Sequence, residues 1–226
     1  MSEAPVIAID GPSGSGKGAV ASVIAERTGF GLLDSGALYR ALGIAAHRAG
    51  TDLTDPREVG LLANSLTIEF GLHGPDSVAL NGEDISREIR TDLGSLMASR
   101  VGAIAAARAA LHDRQLAMRQ QPGLIADGRD MGTVVFPDAV LKIFLTASVE
   151  ERAQRRYKQL IAKGIGAILP DLLRDLQERD ERDSQRPVSP LKPAEDAIVL
   201  DTTDLTLDEV IDRVWELTVE RLPALA

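Results

Sequence analysis

Cysteine is absent from this chain. That excludes a disulfide framework and any thiolate chemistry, and it fits a reducing compartment, so the cytoplasm is the expected location. Long apolar runs are missing too. No stretch reaches the roughly 20 residues that span a bilayer, so no membrane partner is expected. The first residues, Met1-Ser2-Glu3-Ala4-Pro5, have neither the basic nor the apolar part of a signal peptide. Basic residues are outnumbered, and the net charge is −9. A broad nucleic-acid surface is therefore excluded, and any anionic ligand must be met by locally clustered Arg and Lys. His47, His73 and His112 lack metal-ligand spacing and read as surface residues. Repeats and disordered linkers are also lacking.

What is present is enough for one sizeable core with a small insertion: 226 residues, 44% of them hydrophobic. Five short apolar runs read as strands of a parallel sheet: 6–10, 31–34, 124–127, 140–145 and 197–201. Helical stretches separate them, as in βαβ units, which predicts an α/β fold with helices on both faces of the sheet. Capping boxes mark helix starts at Ser148-x-x-Glu151 and Thr206-x-x-Glu209. The last helix, 206 to about 221, shows apolar spacing at Leu207, Val210, Ile211, Val214, Leu217 and Leu222, and Trp215 fits the same stripe. Between the second and third strands the pattern changes. The 67–70 segment alternates, and Asn81-Gly82 is a hairpin signal, which predicts an antiparallel insertion at 62–92. The expected division is a core of 1–61 with 93–226, and that insertion. One alanine-rich helix is predicted over 93–119.

The chemistry is concentrated after the first strand. Val6-Ile7-Ala8-Ile9 runs into Gly11-Pro12-Ser13-Gly14-Ser15-Gly16-Lys17-Gly18, and a helix follows. Strand, glycine-rich turn, lysine and helix form a phosphate cradle. Curled backbone N–H groups and the positive helix end face one anion, and Lys17 reaches the β- and γ-phosphates of a nucleoside triphosphate. The general motif places Ser or Thr after the lysine to touch Mg²⁺. Here Gly18 and Ala19 stand there, which leaves the ion to phosphates, water and a carboxylate elsewhere.

Charge also gathers beside the predicted strand ends, in Asp34-Ser35-Gly36-Ala37-Leu38-Tyr39-Arg40, Asp127-Gly128-Arg129-Asp130, Arg152 to Arg156 and Arg179 to Arg186. Arg152, Arg155 and Arg156 open a helix soon after a strand, where a lid over about 148–170 could close on phosphates. Taken alone, such charged helices are solvated faces with i,i+4 pairs. Arg108 alone reads as a surface residue and Tyr39 as a packing residue.

Together, Ile9 to Gly18, Leu33 to Arg40, Ala126 to Pro137 and Arg179 to Asp183 resemble the bacterial cytidylate kinases, a branch of the nucleoside monophosphate kinases within the P-loop kinases. The likeness runs from about residue 5 to the C-terminus and includes the long insertion. It departs at Ala19, where the family usually carries threonine. The resemblance implies transfer of the γ-phosphoryl of ATP to CMP or dCMP. It implies base contacts from Ser35, Arg108, Asp130 and Arg186, a ribose contact from Asp183, and a monophosphate held by Arg40, Arg129 and Arg179. It also places Asp127 where related kinases hold Mg²⁺ through water, and a loop after 197–203 around the adenine. Arg155 and Arg156 are the lid arginines expected to neutralise the migrating group. Small lidded kinases are often monomers, so a monomer is expected. Two rival readings share the cradle. A kinase of another small metabolite would need a base for a hydroxyl proton, and a non-catalytic nucleotide switch would need no second anion site.

Overall fold

The computed structural model describes residues 3–74, 77–162, 164 and 166–225. Met1 and Ser2 of the N-terminal segment, and Lys163 and Ile165 of the expected lid, lie outside the described residues. In chain order the elements are β1 (Val6–Asp10), α1 (Lys17–Thr28), β2 (Gly31–Asp34), α2 (Ser35–Ala49), α3 (Pro56–Ser65), β3 (Ile68–Phe70), β4 (Val78–Leu80) and β5 (Glu83–Asp84). Then come α4 (Asp92–Val101), α5 (Ala105–Ala117), β6 (Leu124–Gly128), a π-helical turn (Met131–Val135) and β7 (Leu141–Thr146). Last are α6 (Val149–Ala162), α7 (Leu169–Gln185), β8 (Ile198–Asp201) and α8 (Leu207–Arg221). The chain divides into two compact units: Met1–Leu33 with Met118–Ala226, and Asp34–Ala117.

The first unit is built on a five-stranded parallel sheet of order β2-β6-β1-β7-β8. Central β1 pairs β6 on one side, Val6 opposite Leu124 and Asp10 opposite Gly128, and β7 on the other, Ile7 opposite Leu141. All five β1 residues are buried, which is why the strand reads as a continuous apolar run rather than an alternating one. Ile7 and Ile9 pack with Val20, Ala21 and Ile24 of α1 and with Val210, Ile211, Val214 and Leu217 of α8. Trp215 lies partly buried against this core with the Arg27 guanidinium 5.6 Å from its ring centre. The five predicted strands are present: β1 and β2 have the expected bounds, β6 and β8 differ by one residue at one end, and β7 is displaced by one residue at both ends. Both capping signals are used. Thr206 and Glu209 form the full box, and the Ser148 hydroxyl accepts from the Glu151 N–H at 3.2 Å.

The second unit carries α2 to α5 and an antiparallel sheet of order β3-β4-β5. Asn81 and Gly82 both have positive φ, 51° and 85°, as the tight hairpin turn between β4 and β5 requires. This sheet falls within the predicted 62–92 span, while the compact unit around it is wider. The single helix predicted over 93–119 is two helices. Gly102 caps the end of α4, with its N–H on the Ala98 carbonyl, and α5 begins afresh at Ala105. Helix α2 packs closely on α4: a β-carbon at Gly43 would lie 2.7 Å from the Met97 β-carbon.

Candidate active site

The loop after β1 has the geometry that the motif requires. Gly11, Gly14 and Gly16 have φ of 149°, 81° and 91°, conformations that side chains rarely adopt. Gly11 is constrained twice, since a β-carbon there would sit 2.0 Å from the Leu145 carbonyl oxygen. Pro12, Ser13 and the buried Ser15 complete the turn. Helix α1 then starts with no side-chain cap and no acid in its first turn. By contrast α2, α3, α4 and α8 are capped by Asp34, Asp55, Thr91 and Thr206. The uncapped N–H groups of α1 keep their donors for an anion. The buried Lys17 ammonium donates to the Pro12 carbonyl at 2.9 Å, so it is folded back along the loop that it completes.

Three carboxylates stand behind this loop. Asp10, at the end of β1, accepts the N–H groups of Met131 and Gly132 at 2.8 Å each. Burial pushes its carboxyl up to about 7, against those two hydrogen bonds, and the charges of Asp130 and Asp127 add to the rise. Asp10 therefore ties the strand entering the cradle to the turn directly after Asp130, which is itself 2% exposed. Asp127 lies over the first turn of α1: a β-carbon at Gly18 would come within 3.3 Å of its Oδ2. A carboxylate therefore lies beside the position where the general motif carries a hydroxyl. That donor suits Mg²⁺. Among the described residues no group of three or more His, Cys, Asp or Glu is arranged to hold a metal.

The arginines expected at the site in this part of the chain divide by where they point. Arg129, from the loop after β6, and Arg179 and Arg186, from α7 and its C-terminal end, surround the Asp183 carboxylate at 3.1, 4.0 and 4.0 Å. Burial would raise the Asp183 carboxyl, but Arg129, Arg179 and Arg186 outweigh it and hold the group below the usual carboxylate range. Helix α6 directs Arg152 and Arg155 elsewhere. Arg155 donates to Glu151 at 2.9 Å, to the Thr202 hydroxyl at 3.1 Å and to the Thr202 carbonyl, fastening the loop after β8. Thr202 is in turn anchored on the Thr146 carbonyl. Arg156 is half-buried on the same helix. Arg152 is buried and bonds Ala147, Ser13 and Asp180. Sequence reasoning assigned no individual role to Asp10, Asp180 or Thr202, and it grouped Arg152 with the lid arginines over the phosphates, whereas Arg152 is bonded to Ala147, Ser13 and Asp180. Only Asp10 left a signal, a carboxylate closing an apolar strand immediately before Gly11.

The second unit holds the other expected residues. Ser35 opens α2 and is buried. The Arg40 guanidinium lies over the first turn of α2, 3.9 Å from where a Gly36 β-carbon would be. Arg108, read from sequence as a surface residue when taken alone, is buried. Its guanidinium lies 5.4 Å from the Tyr39 ring centre and donates to the Gly102 carbonyl at 3.2 Å. Tyr39 is therefore a buried partner of that arginine rather than plain packing.

An uncapped helix behind a Gly-Lys loop, at the end of the central strand of a parallel sheet, with arginines gathered in the same unit, defines a nucleotide-dependent phosphotransferase. A family model described as cytidylate kinase matches residues 7–220. A cytidylate kinase of Stutzerimonas stutzeri (strain A1501) is 55% identical over 221 residues, 96% of each chain. One of Cupriavidus necator is 55% identical over 211 residues, 93% of this chain and 94% of its own. The chain belongs to the cytidylate kinase family. Among solved structures, one from Thermus thermophilus aligns over 98% of this chain and 99% of its own, at 18% identity and a TM-score of 0.48.

Proposed function

We propose that the chain transfers the γ-phosphoryl group of ATP to CMP or dCMP, giving ADP and CDP or dCDP. Membership of the cytidylate kinase family, together with the cluster of Arg129, Arg179 and Arg186 on Asp183, supports this reading most directly. The loop from Gly11 to Ala19 cradles the triphosphate, and Lys17 leaves Pro12 for the β- and γ-phosphates. Magnesium carried on the triphosphate would spread the charge of its oxygens, and Asp127 is the residue proposed to hold it through water. A phosphate acceptor is already nucleophilic at neutral pH, so positioning and charge stabilisation suffice and no general base is assigned.

In this reading Arg129 and Arg179 in the first unit and Arg40 in the second hold the acceptor phosphate. Asp130 and Arg186 in the first, with Ser35 and Arg108 in the second, read the base, and Asp183 meets the ribose. Cytosine presents an N4 amine that a carboxylate accepts. Uracil would present O4, and two acceptors facing each other reject it. Arg156 neutralises the migrating group from the lid, together with Arg155 if the lid frees it from Thr202. The expected monomer and cytoplasmic location complete the proposal. Light scattering at the mass of one chain, 24.1 kDa, checks the first.

A coupled ADP-release assay over CMP, dCMP, UMP and AMP tests the reading. CMP or dCMP turns over fastest, and Asp130→Ala narrows the CMP-to-UMP ratio of kcat/KM by about 10-fold or more. Equal rates for CMP, UMP and AMP refute it.

A further inference from the structure

We infer that Arg152 and Asp180 form a strut between the phosphate loop and α7, and that this pair, touching neither nucleotide, couples donor binding to acceptor binding. The inference rests on the two-nucleotide reading above. It starts from the direction of one guanidinium. Arg152 is 4% exposed. Its Nε donates to the Ala147 carbonyl at 3.0 Å, Nη1 to the Ser13 carbonyl at 2.9 Å and to Asp180 Oδ1 at 3.2 Å, and Nη2 to Asp180 Oδ2. A guanidinium has five N–H donors in a fixed fork, and these contacts engage all three of its nitrogens. Although Arg152 opens the expected lid, four of its five donors are directed at the protein.

Its targets give the arrangement a purpose. A phosphate cradle turns N–H groups inward, and Ser13 offers Arg152 its carbonyl. The arginine braces the loop through the group that a phosphate does not use. The contact is close: a β-carbon at Gly14 would meet the Arg152 β-carbon at 3.2 Å. At the other end, Asp180 follows Arg179 directly and precedes Asp183 by three residues on one helix. Arg179 and Asp183 belong to the cluster read here as the acceptor site. One buried residue thus connects the loop that takes the donor to the helix turn that shapes the acceptor cluster. Movement of the loop when a triphosphate enters is passed to α7 without a contact to CMP. The bidentate grip on Asp180, with a third donor on Ala147, needs the fork, so lysine is not equivalent.

The test measures coupling rather than activity alone. CMP affinity is measured by calorimetry with and without a non-transferable ATP analogue, for the wild-type protein and for Arg152→Lys, Asp180→Asn and the double variant. Each ligand should tighten the other in the wild type by a factor within the usual range of about 5 to 150. In each variant that factor should fall to near 1, while the affinity for each ligand alone changes by less than about 3-fold. The double variant should be no worse than the single ones, as expected for two residues acting through one contact. Asp180 is a quarter exposed, so Asp180→Asn keeps the test available should Arg152→Lys fail to fold. Undiminished coupling in folded Asp180→Asn, or no coupling in the wild type, overturns the strut while leaving the kinase reading intact. A wild-type protein that binds no CMP overturns that reading, and the strut with it.

Discussion

The two sets of arginines in the first unit use the same side chain in opposite ways. Arg152 and Arg155 of α6 end on Ser13, Ala147, Thr202 and the acids Asp180 and Glu151. Their charge is directed at the protein itself, and their effect is to fix the loops after β1 and β8. Arg129, Arg179 and Arg186 instead converge on the single carboxylate of Asp183. Bringing three like charges together opposes folding unless a buried anion organises them, and the same gathering suits them to receive a phosphate. An arginine-rich segment beside a phosphate loop therefore contains residues that fix the loops as well as residues gathered around a buried acid.

The largest effect should come from the charge that both sets serve. Lys17→Met should lower kcat by a factor on the order of 10²–10⁵ with the fold intact, as for other stabilisers of transferring phosphoryl groups. Near-normal turnover would show that the cradle is not the donor site. Asp183→Ala breaks the binding set. Leaving three guanidiniums without their buried anion should lower the unfolding free energy by about 3 kcal/mol, and kcat/KM for CMP should fall with a smaller change in the KM for ATP. Equal losses on both substrates would erase the distinction between the two sets. Arg155→Ala sharpens it from the other side. Releasing the Thr202 loop should raise the KM for ATP by roughly 3- to 10-fold and leave that for CMP unchanged, as steady-state kinetics with each substrate varied would show.

The smallest effect concerns pH. Folding holds the Asp10 proton up to about pH 7, against 3.8 for an ordinary carboxyl. Between these values the folded state binds the extra proton, so the unfolding free energy falls as pH rises through that window. Urea titrations at about pH 4.5 and about pH 7.5 should show this loss, and Asp10→Asn should flatten it. An unchanged slope would place the titration on another group.

The sequence made the phosphate cradle and the parallel sheet legible because their signals are local. A buried strand is an apolar run, and a curled loop needs glycine at fixed places such as Gly11. Strand ends consequently came within one residue. The 93–119 helix was misread because its alanines continue through Gly102 without a change of pattern, while the chain breaks there and restarts. Within the site, residue type was legible and direction was not. Arg152, Arg155 and Arg156 are equivalent on paper, yet the contact that assigns Arg152 its role joins it to Ser13, 139 positions away. Taken alone, Arg108 looked like a surface residue for the same reason, since its partner Tyr39 is distant in sequence, and only the family resemblance gave it a role. Gly18 and Asp127 show the converse. The residue that lies beside the departure in the local motif stands more than a hundred positions on.

The most direct test is a crystal structure with CMP and a non-transferable ATP analogue bound together. The account predicts the CMP phosphate on Arg129 and Arg179, its N4 on Asp130, the triphosphate on Lys17, and Arg152 still seated on Ser13 and Asp180. A CMP phosphate held by Arg152 and Arg155, with Arg129 and Arg179 remaining on Asp183, would contradict it.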